Sequence, residues 1–275
     1  MKRIFFVLVS VISFIVVSSL GSVAYADEMA DIKAKGVLVA GVKDAVVPFG
    51  YVDEQSKQIV GFDVDICREI ANKMGVKLEL KPVTSATRIP QLSEGMVDIA
   101  ACTMTRKVSR DDVIDFSITY FMDGQKLLVK KGSKIKSYKD LAGKKVGTAK
   151  GSTSEINMRN IQPKCSVLSF EGYPEAFLAL KQGKVAAVTT DSVILIGLKG
   201  SDENPEKWEI VGDFFSKEPY GIGMRENESN LRDFVNKSLM EMWNDGTYKK
   251  IYEKWLGPKT KFYMPLTWEM ETIPE

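Results

Sequence analysis

The chain has 275 residues, with 38 basic and 36 acidic side chains, no histidine and three cysteines. Without histidine, and with Cys67, Cys102 and Cys165 widely spaced and forming no C-x-x-C pair, a zinc site or a Ser-His-type triad is close to excluded. Nearly balanced charge with no long basic run leaves nucleic acid without support as a partner, because phosphate binding needs concentrated Lys and Arg.

The chain begins with Lys2 and Arg3, followed by an apolar stretch from Ile4 to Val17. Ala24-Tyr25-Ala26 then fits the A-x-A cleavage pattern, so residues 1–26 read as a secretory signal peptide. The run is short for a membrane span of ~20 residues. No cysteine stands near the cleavage point to carry a lipid. Removal takes two positive charges and leaves 36 basic against 36 acidic residues in 249. The expected product is soluble and periplasmic. That length suits one large or two small domains, with a sizeable core needing no disulfide staples. Each cysteine reads as a small buried apolar residue. A Cys67–Cys102 bridge is the alternative.

Short apolar strands then alternate with helical patterns. Val37 to Val42 reads as a strand. Gly61-Phe62-Asp63 leads into a helix whose Ile66, Cys67, Ile70, Ala71 and Met74 share one face. Val76, Leu78 and Leu80 alternate as in a strand. Ile89 to Leu92 is a short helix stopped by Gly95, and Val97 to Ala101 a buried strand. The second half repeats the scheme. Lys145 to Thr148 is a strand, Gly151-Ser152-Thr153 opens a helix, and Ser166 to Phe170 is a strand. Tyr173 to Gln182 is a helix ended by Gly183, and Val185 to Thr190 a strand. Such alternation implies mostly parallel sheets covered by helices. The stretch from Leu92 to Ala100 echoes that from Leu180 to Val188, which suits two similar lobes. After these, Tyr220 to Met224 reads as a strand and Leu231 to Trp243 as an amphipathic helix. Asp245-Gly246 breaks it, and Tyr248, Ile251, Tyr252 and Trp255 recur at helical spacing as core positions.

Residues 37–256 resemble the polar-amino-acid-binding proteins of ABC importers, bacterial solute-binding protein family 3. The clearest match is Gly61-Phe62-Asp63-Val64-Asp65-Ile66 with Ile70-Ala71 and Met74. Val47-Pro48-Phe49 precedes it. Arg88-Ile89-Pro90-Gln91-Leu92, Val97-Asp98-Ile99, Asp115-Phe116-Ser117 and Tyr120 follow. The series continues through Leu141-Ala142-Gly143-Lys144-Lys145-Val146-Gly147, Gly151-Ser152-Thr153 and Thr190-Asp191, and closes on Tyr220-Gly221-Ile222-Gly223-Met224. The resemblance implies an α/β, two-lobed type II periplasmic-binding fold with a two-strand hinge. Residues 27–120 and 220–275 would form lobe 1 and residues 121–219 lobe 2, closing on ligand. Lys107, Val108 and Ala186 depart from the family's frequent Thr, Pro and Asp.

A zwitterionic amino acid needs a fixed cation for its carboxylate and a fixed anion for its ammonium, because burying either unpaired is costly. The resemblance implies Arg110 as carboxylate clamp, a role that suits its forked guanidinium. Backbone N–H groups of Thr105 and Thr153 would assist, the latter at a helix start. Asp191 would accept the ammonium, at the end of a buried strand where such folds bind ligands. Thr103 would help through its hydroxyl and carbonyl. Taken alone, Arg110 reads as a surface charge and Asp191 as a helix cap. Gly61, Asp63, Asp65, Asp98 and Asp115 read as structural. Relatives that bind long basic or amide side chains place aromatics where Val46 and Ser85 stand here. Lys43 stands where acid-binding relatives carry a cation, and Arg88 lies close to their pattern. Two cations in one pocket favour glutamate or aspartate, unless both face solvent as most Lys and Arg do. Tyr173 would line the pocket from lobe 2.

The expectation is therefore a monomeric binding protein, not an enzyme. It would need no metal or cofactor, and would deliver an amino acid to a membrane ABC permease by transient docking. The alternatives are a same-fold cyclohexadienyl (prephenate or arogenate) dehydratase, with Glu218 near the hinge as its conceivable acid, a binding protein for glutamine or a basic amino acid, and a sensor module acting through a partner.

Overall fold

The computed structural model describes residues 27–272, so the expected signal peptide lies outside the described residues. In the first part of the chain, α1 (Glu28–Lys35) leads into β1 (Val37–Val42). A small antiparallel ribbon follows: β2 (Ala45–Val46), β3 (Gly50–Val52) and β4 (Ile59–Val60). Then come α2 (Phe62–Met74), β5 (Lys77–Pro82), α3 (Arg88–Ser93), β6 (Ile99–Ala100), α4 (Val108–Asp111) and β7 (Ile114–Phe116). Strand β8 (Phe121–Asp123) leaves this unit. The second unit holds β9 (Gln125–Lys130), β10 (Lys145–Ala149), α5 (Thr153–Ile161), β11 (Ser166–Phe170), α6 (Tyr173–Lys181), β12 (Ala187–Asp191), α7 (Ser192–Gly200) and β13 (Trp208–Val211). The chain returns through β14 (Glu218–Tyr220) to β15 (Gly223–Arg225), α8 (Ser229–Asn244) and α9 (Thr247–Leu256).

Two five-stranded sheets result, in the orders β5-β1-β6-β15-β7 and β11-β10-β12-β9-β13. Between them β8 and β14 pair antiparallel, with Asp123 opposite Glu218 and Phe121 opposite Tyr220. Each sheet is less parallel than the alternation predicts. In the first, β1 pairs parallel with β5 and β6, but β15 runs antiparallel to β6 and β7. In the second, β10 pairs parallel with both neighbours, but β9 runs antiparallel to β12 and β13. The antiparallel members are the strands that flank the crossings, where the chain arrives without a helical crossover to set it parallel.

The expected strand from Tyr220 to Met224 is in fact two. Glu218–Tyr220 belongs to the crossing ribbon and Gly223–Arg225 to the first sheet. Gly221 and Ile222 change partners between them: Gly221 N donates to Met104 O (3.0 Å), and Ile222 N to Ser117 Oγ (2.9 Å). The strand expected over Val97 to Ala101 is likewise shorter, Ile99–Ala100.

Local chemistry sets the elements around the cleft. Gly61 precedes α2 at φ 147°, and a Cβ there would lie 2.1 Å from Phe49 O, so only glycine fits this turn. The apolar face of α2 is buried as its spacing predicts, and Asp63 accepts from Thr103 N (3.1 Å) and the Tyr120 hydroxyl (2.8 Å). Asp65 instead holds α9, accepting from Trp255 Nε1 at 2.7 Å and Lys254 Nζ at 2.6 Å. Phe49, Phe62, Phe121 and Tyr220 pack edge-on or stacked around the crossing, with centroids 5.0–5.8 Å apart. Beyond α9 the chain runs without regular structure, with Phe262, Met264, Leu266 and Trp268 packed on the first unit's core. Trp268 rests against Phe121 (6.4 Å) and Trp243 (5.5 Å). Cys67, Cys102 and Cys165 are free, the first two buried. No helix among the described residues is long and apolar enough to cross a membrane.

Candidate functional site

The cleft between the two sheets gathers side chains from both. Arg110 projects from the single turn of α4 and is only 8% exposed, not a solvated surface charge. Its Nη1 donates to Thr105 O at 2.7 Å. Burial, then the nearby Arg88 charge, lowers its pKa to about 10. Thr105 bridges antiparallel to Tyr220, and the bridge bonds belong to its neighbours: Gly221 N to Met104 O (3.0 Å) and Arg106 N to Pro219 O (2.7 Å). That pattern turns the Thr105 N–H away from the hinge strand. From the opposite side comes Thr153, first residue of α5, where backbone N–H groups lack an intrahelical acceptor. Ser152 caps this helix through Glu155 N (3.2 Å). The Thr105 and Thr153 hydroxyls are 3.4 Å apart, so the two donor loops meet.

Asp191 ends β12 in the position of an N-cap, yet its carboxylate makes no capping bond to α7. Oδ2 accepts from the Tyr220 hydroxyl, and Oδ1 is buried without a hydrogen-bond partner among the described residues. Burial raises its pKa well above the carboxylate range, and the charges of Glu218 and Asp123 push the same way. The cap of α7 comes instead from Asp123, which accepts from Ser192 Oγ (2.6 Å) and Val193 N (2.9 Å). Thr103, at φ 52°, donates its hydroxyl to Cys102 O (2.7 Å), and its carbonyl accepts from Arg88 Nη1 (3.1 Å).

The two further cations do not face solvent. Arg88 is 2% and Lys43 4% exposed. Arg88 Nη1 is shared between the Cys102 and Thr103 carbonyls, while its Nε is buried with no partner among the described residues. Lys43 Nζ donates to Ser85 Oγ at 3.0 Å. Burial, then the charge of Arg88, lowers its pKa from 10.5 to about 7. Lys43, Val46, Ser85 and Tyr173 line a cavity of about 120 Å³ at the cleft edge. Burial, then the charge of Asp191, raises the Tyr173 hydroxyl.

Sequence reasoning missed Gln125 and Asn157. Gln125 Nε2 donates to Thr153 Oγ1 (3.2 Å) and Ser154 Oγ (3.4 Å), and its Oε1 accepts from Asn157 Nδ2 (3.1 Å). Neither sits in a motif that marks it. Both matter because their hydrogen bonds tie α5 to the start of β9 beside the crossing. Among the described residues no group of His, Cys, Asp and Glu is arranged to hold a metal ion.

Among the described residues the site thus leaves open the buried donor Arg88 Nε and the buried carboxyl oxygen Asp191 Oδ1. Residues 38–258 match the model of the bacterial extracellular solute-binding proteins, family 3. The chain belongs to this family. It is 43% identical over 270 residues to the ABC transporter glutamine-binding protein GlnH of Bacillus subtilis strain 168, covering 93% of this chain and 98% of that one. It is 32% identical over 246 residues to a glutamate/aspartate import solute-binding protein of Salmonella typhimurium, covering 86% and 81%. An ancestral arginine-binding protein solved with glutamine superposes with a TM-score of 0.77 at 44% identity, over 81% of this chain and 98% of that one. The architecture is therefore the type II periplasmic-binding fold. The chain is an amino-acid-binding protein of an ABC importer rather than an enzyme.

Proposed function

We propose that this binding protein captures free L-glutamine between its lobes, outside the cytoplasm in the periplasm, and docks transiently as a monomer on its ABC permease. The observation that carries an amino-acid ligand is the pair of open, buried groups of opposite character, the donor Arg88 Nε and the carboxyl oxygen Asp191 Oδ1, in one cleft. The ligand supplies a partner to each, its ammonium to Asp191 and a side-chain acceptor to Arg88 Nε, and buried polar groups left unpaired are otherwise costly. Arg110 with the Thr105 and Thr153 N–H groups takes the α-carboxylate, Asp191 takes the ammonium, and Tyr173 covers the ligand from lobe 2. Lobe 1 comprises residues 27–120 and 220–275, and lobe 2 residues 121–219.

Two observations favour an amide side chain over a carboxylate. Lys43, held near pH 7 by burial and by Arg88, is a good donor to an amide oxygen without requiring full charge. The 43% identity to a glutamine-binding protein supports the same choice. Glutamate or aspartate is the second reading, favoured by the presence of both Lys43 and Arg88 in the cleft and by the 32% identical glutamate/aspartate relative.

Calorimetry of residues 27–275 against all common amino acids tests this. Glutamine is expected to bind at least tenfold more tightly than glutamate. The reverse order, accompanied by proton uptake as Lys43 recharges, replaces glutamine with the second reading. A profile led by arginine or lysine rejects both.

A further inference from the structure

Glu218 is 1% exposed and lies in β14, the returning strand of the hinge. Its Oε2 accepts from the Thr105 hydroxyl at 2.5 Å and the Thr153 hydroxyl at 2.8 Å. Its Oε1 accepts from Asn157 Nδ2 at 3.1 Å. Thr105 belongs to the first sheet's loops, and Thr153 and Asn157 to α5 of the second unit. One carboxylate, seated between the sheets, therefore joins both walls of the cleft. Bonds to an ionised acceptor are the stronger kind. The Gln125 amide donates to Thr153 Oγ1 at 3.2 Å, which lines up Gln125, Thr153 and Glu218 as successive donor and acceptor.

We propose that Glu218 is a positioning residue that latches the closed cleft. It directs the Thr105 and Thr153 hydroxyl hydrogens away from the ligand, and leaves the α-carboxylate to Arg110 and the backbone N–H groups. This second clause rests on the ligand reading above. The latch itself rests only on the three contacts. Its donors come from both units, so all three bonds exist together only when the cleft is shut. They add to the closed state a stabilisation that the ligand does not provide. The effect belongs in the release step: opening must break the latch, whereas entry into an open cleft does not form it.

The test uses residues 27–275 with Glu218→Ala and Glu218→Gln, measured by stopped-flow binding of L-glutamine and of L-glutamate. Glu218→Ala is expected to raise the dissociation rate about tenfold or more, with the association rate within about twofold of the parent. Glu218→Gln keeps an oxygen that accepts from the hydroxyls, and is expected to recover part of the loss. A purely structural role would instead lower the melting temperature of the ligand-free protein in both variants and leave the two rates changed in proportion. Unchanged dissociation in Glu218→Ala overturns the latch. If the parent binds neither amino acid, the ligand reading fails separately. The latch is then judged by single-molecule energy transfer between dyes on the two lobes, where Glu218→Ala must shorten ligand-free closed excursions about tenfold. Equal lifetimes overturn it.

Discussion

Gly197 offers the sharpest test of cleft closure, because it lies outside the binding groups. It is part of α7, and a Cβ added there would sit 1.9 Å from Val47 O and 2.8 Å from Val47 C. Val47 lies between β2 and β3, on the opposite wall. Real Cβ atoms essentially never come within 3.0 Å of another heavy atom, and backbone cannot swing aside, so Gly197→Ala must hold the walls about 1 Å further apart at this point. A shift of that size takes the 2.8 Å Thr153–Glu218 contact to about 3.8 Å, beyond hydrogen-bonding range. Losing one charge-assisted bond of ~1.5–3 kcal/mol lowers affinity about tenfold to a hundredfold. In the open protein the same methyl meets no wall, and replacing a mid-helix glycine with alanine stabilises by about 0.8–1 kcal/mol. Calorimetry and thermal melting together read both effects: weaker binding with an equal or higher ligand-free melting temperature. An unchanged affinity refutes the closure argument. A fall in ligand-free stability shows that the contact belongs to the fold, not to closure.

Asp191→Asn removes the ammonium acceptor's charge, and affinity is expected to drop by about 3–5 kcal/mol in calorimetry. It also relieves the repulsion among Asp191, Glu218 and Asp123, so the ligand-free protein should melt higher. Lys43 is held down at about 7 from 10.5, so between those pH values the folded chain binds fewer protons than the unfolded one, and stability rises with pH. Its part of the slope, at most about 1.4 kcal/mol per pH unit, should vanish in Lys43→Met under urea titration at pH 7 to 9. Phe62→Ala, at a fully buried ring touching Phe49, Tyr120, Phe121, Tyr248 and Tyr252, should cost about 3–5 kcal/mol of unfolding free energy.

The helices and most strands were legible because their signals are local. Gly75 ends α2 in a left-handed conformation, and Ile66, Ile70 and Met74 give its face. The split at Gly221 was not legible, because which strand accepts a neighbour depends on residues about a hundred positions away, such as Met104 and Ser117. The cleft shows the same division. Arg110, Asp191, Thr105 and Thr153 were found through a motif series, while local rules pointed Asp191 toward a cap that Asp123 makes instead. The burial of Lys43 and Arg88 ran against the habit of their residue types. Glu218 was named for its place near the hinge, but its partners stand 113 and 65 positions away, and only folding brings them to one carboxylate.

The unstructured stretch after α9 bears on how this molecule can be observed. Trp268 sets its indole against Phe121, the residue where the chain enters the crossing ribbon, and beside Trp243. Any twist of that ribbon alters the polarity and quenching around a native fluorophore. Ligand-driven motion should therefore register as a shift in tryptophan emission from unlabelled protein, and Trp268→Phe should silence it.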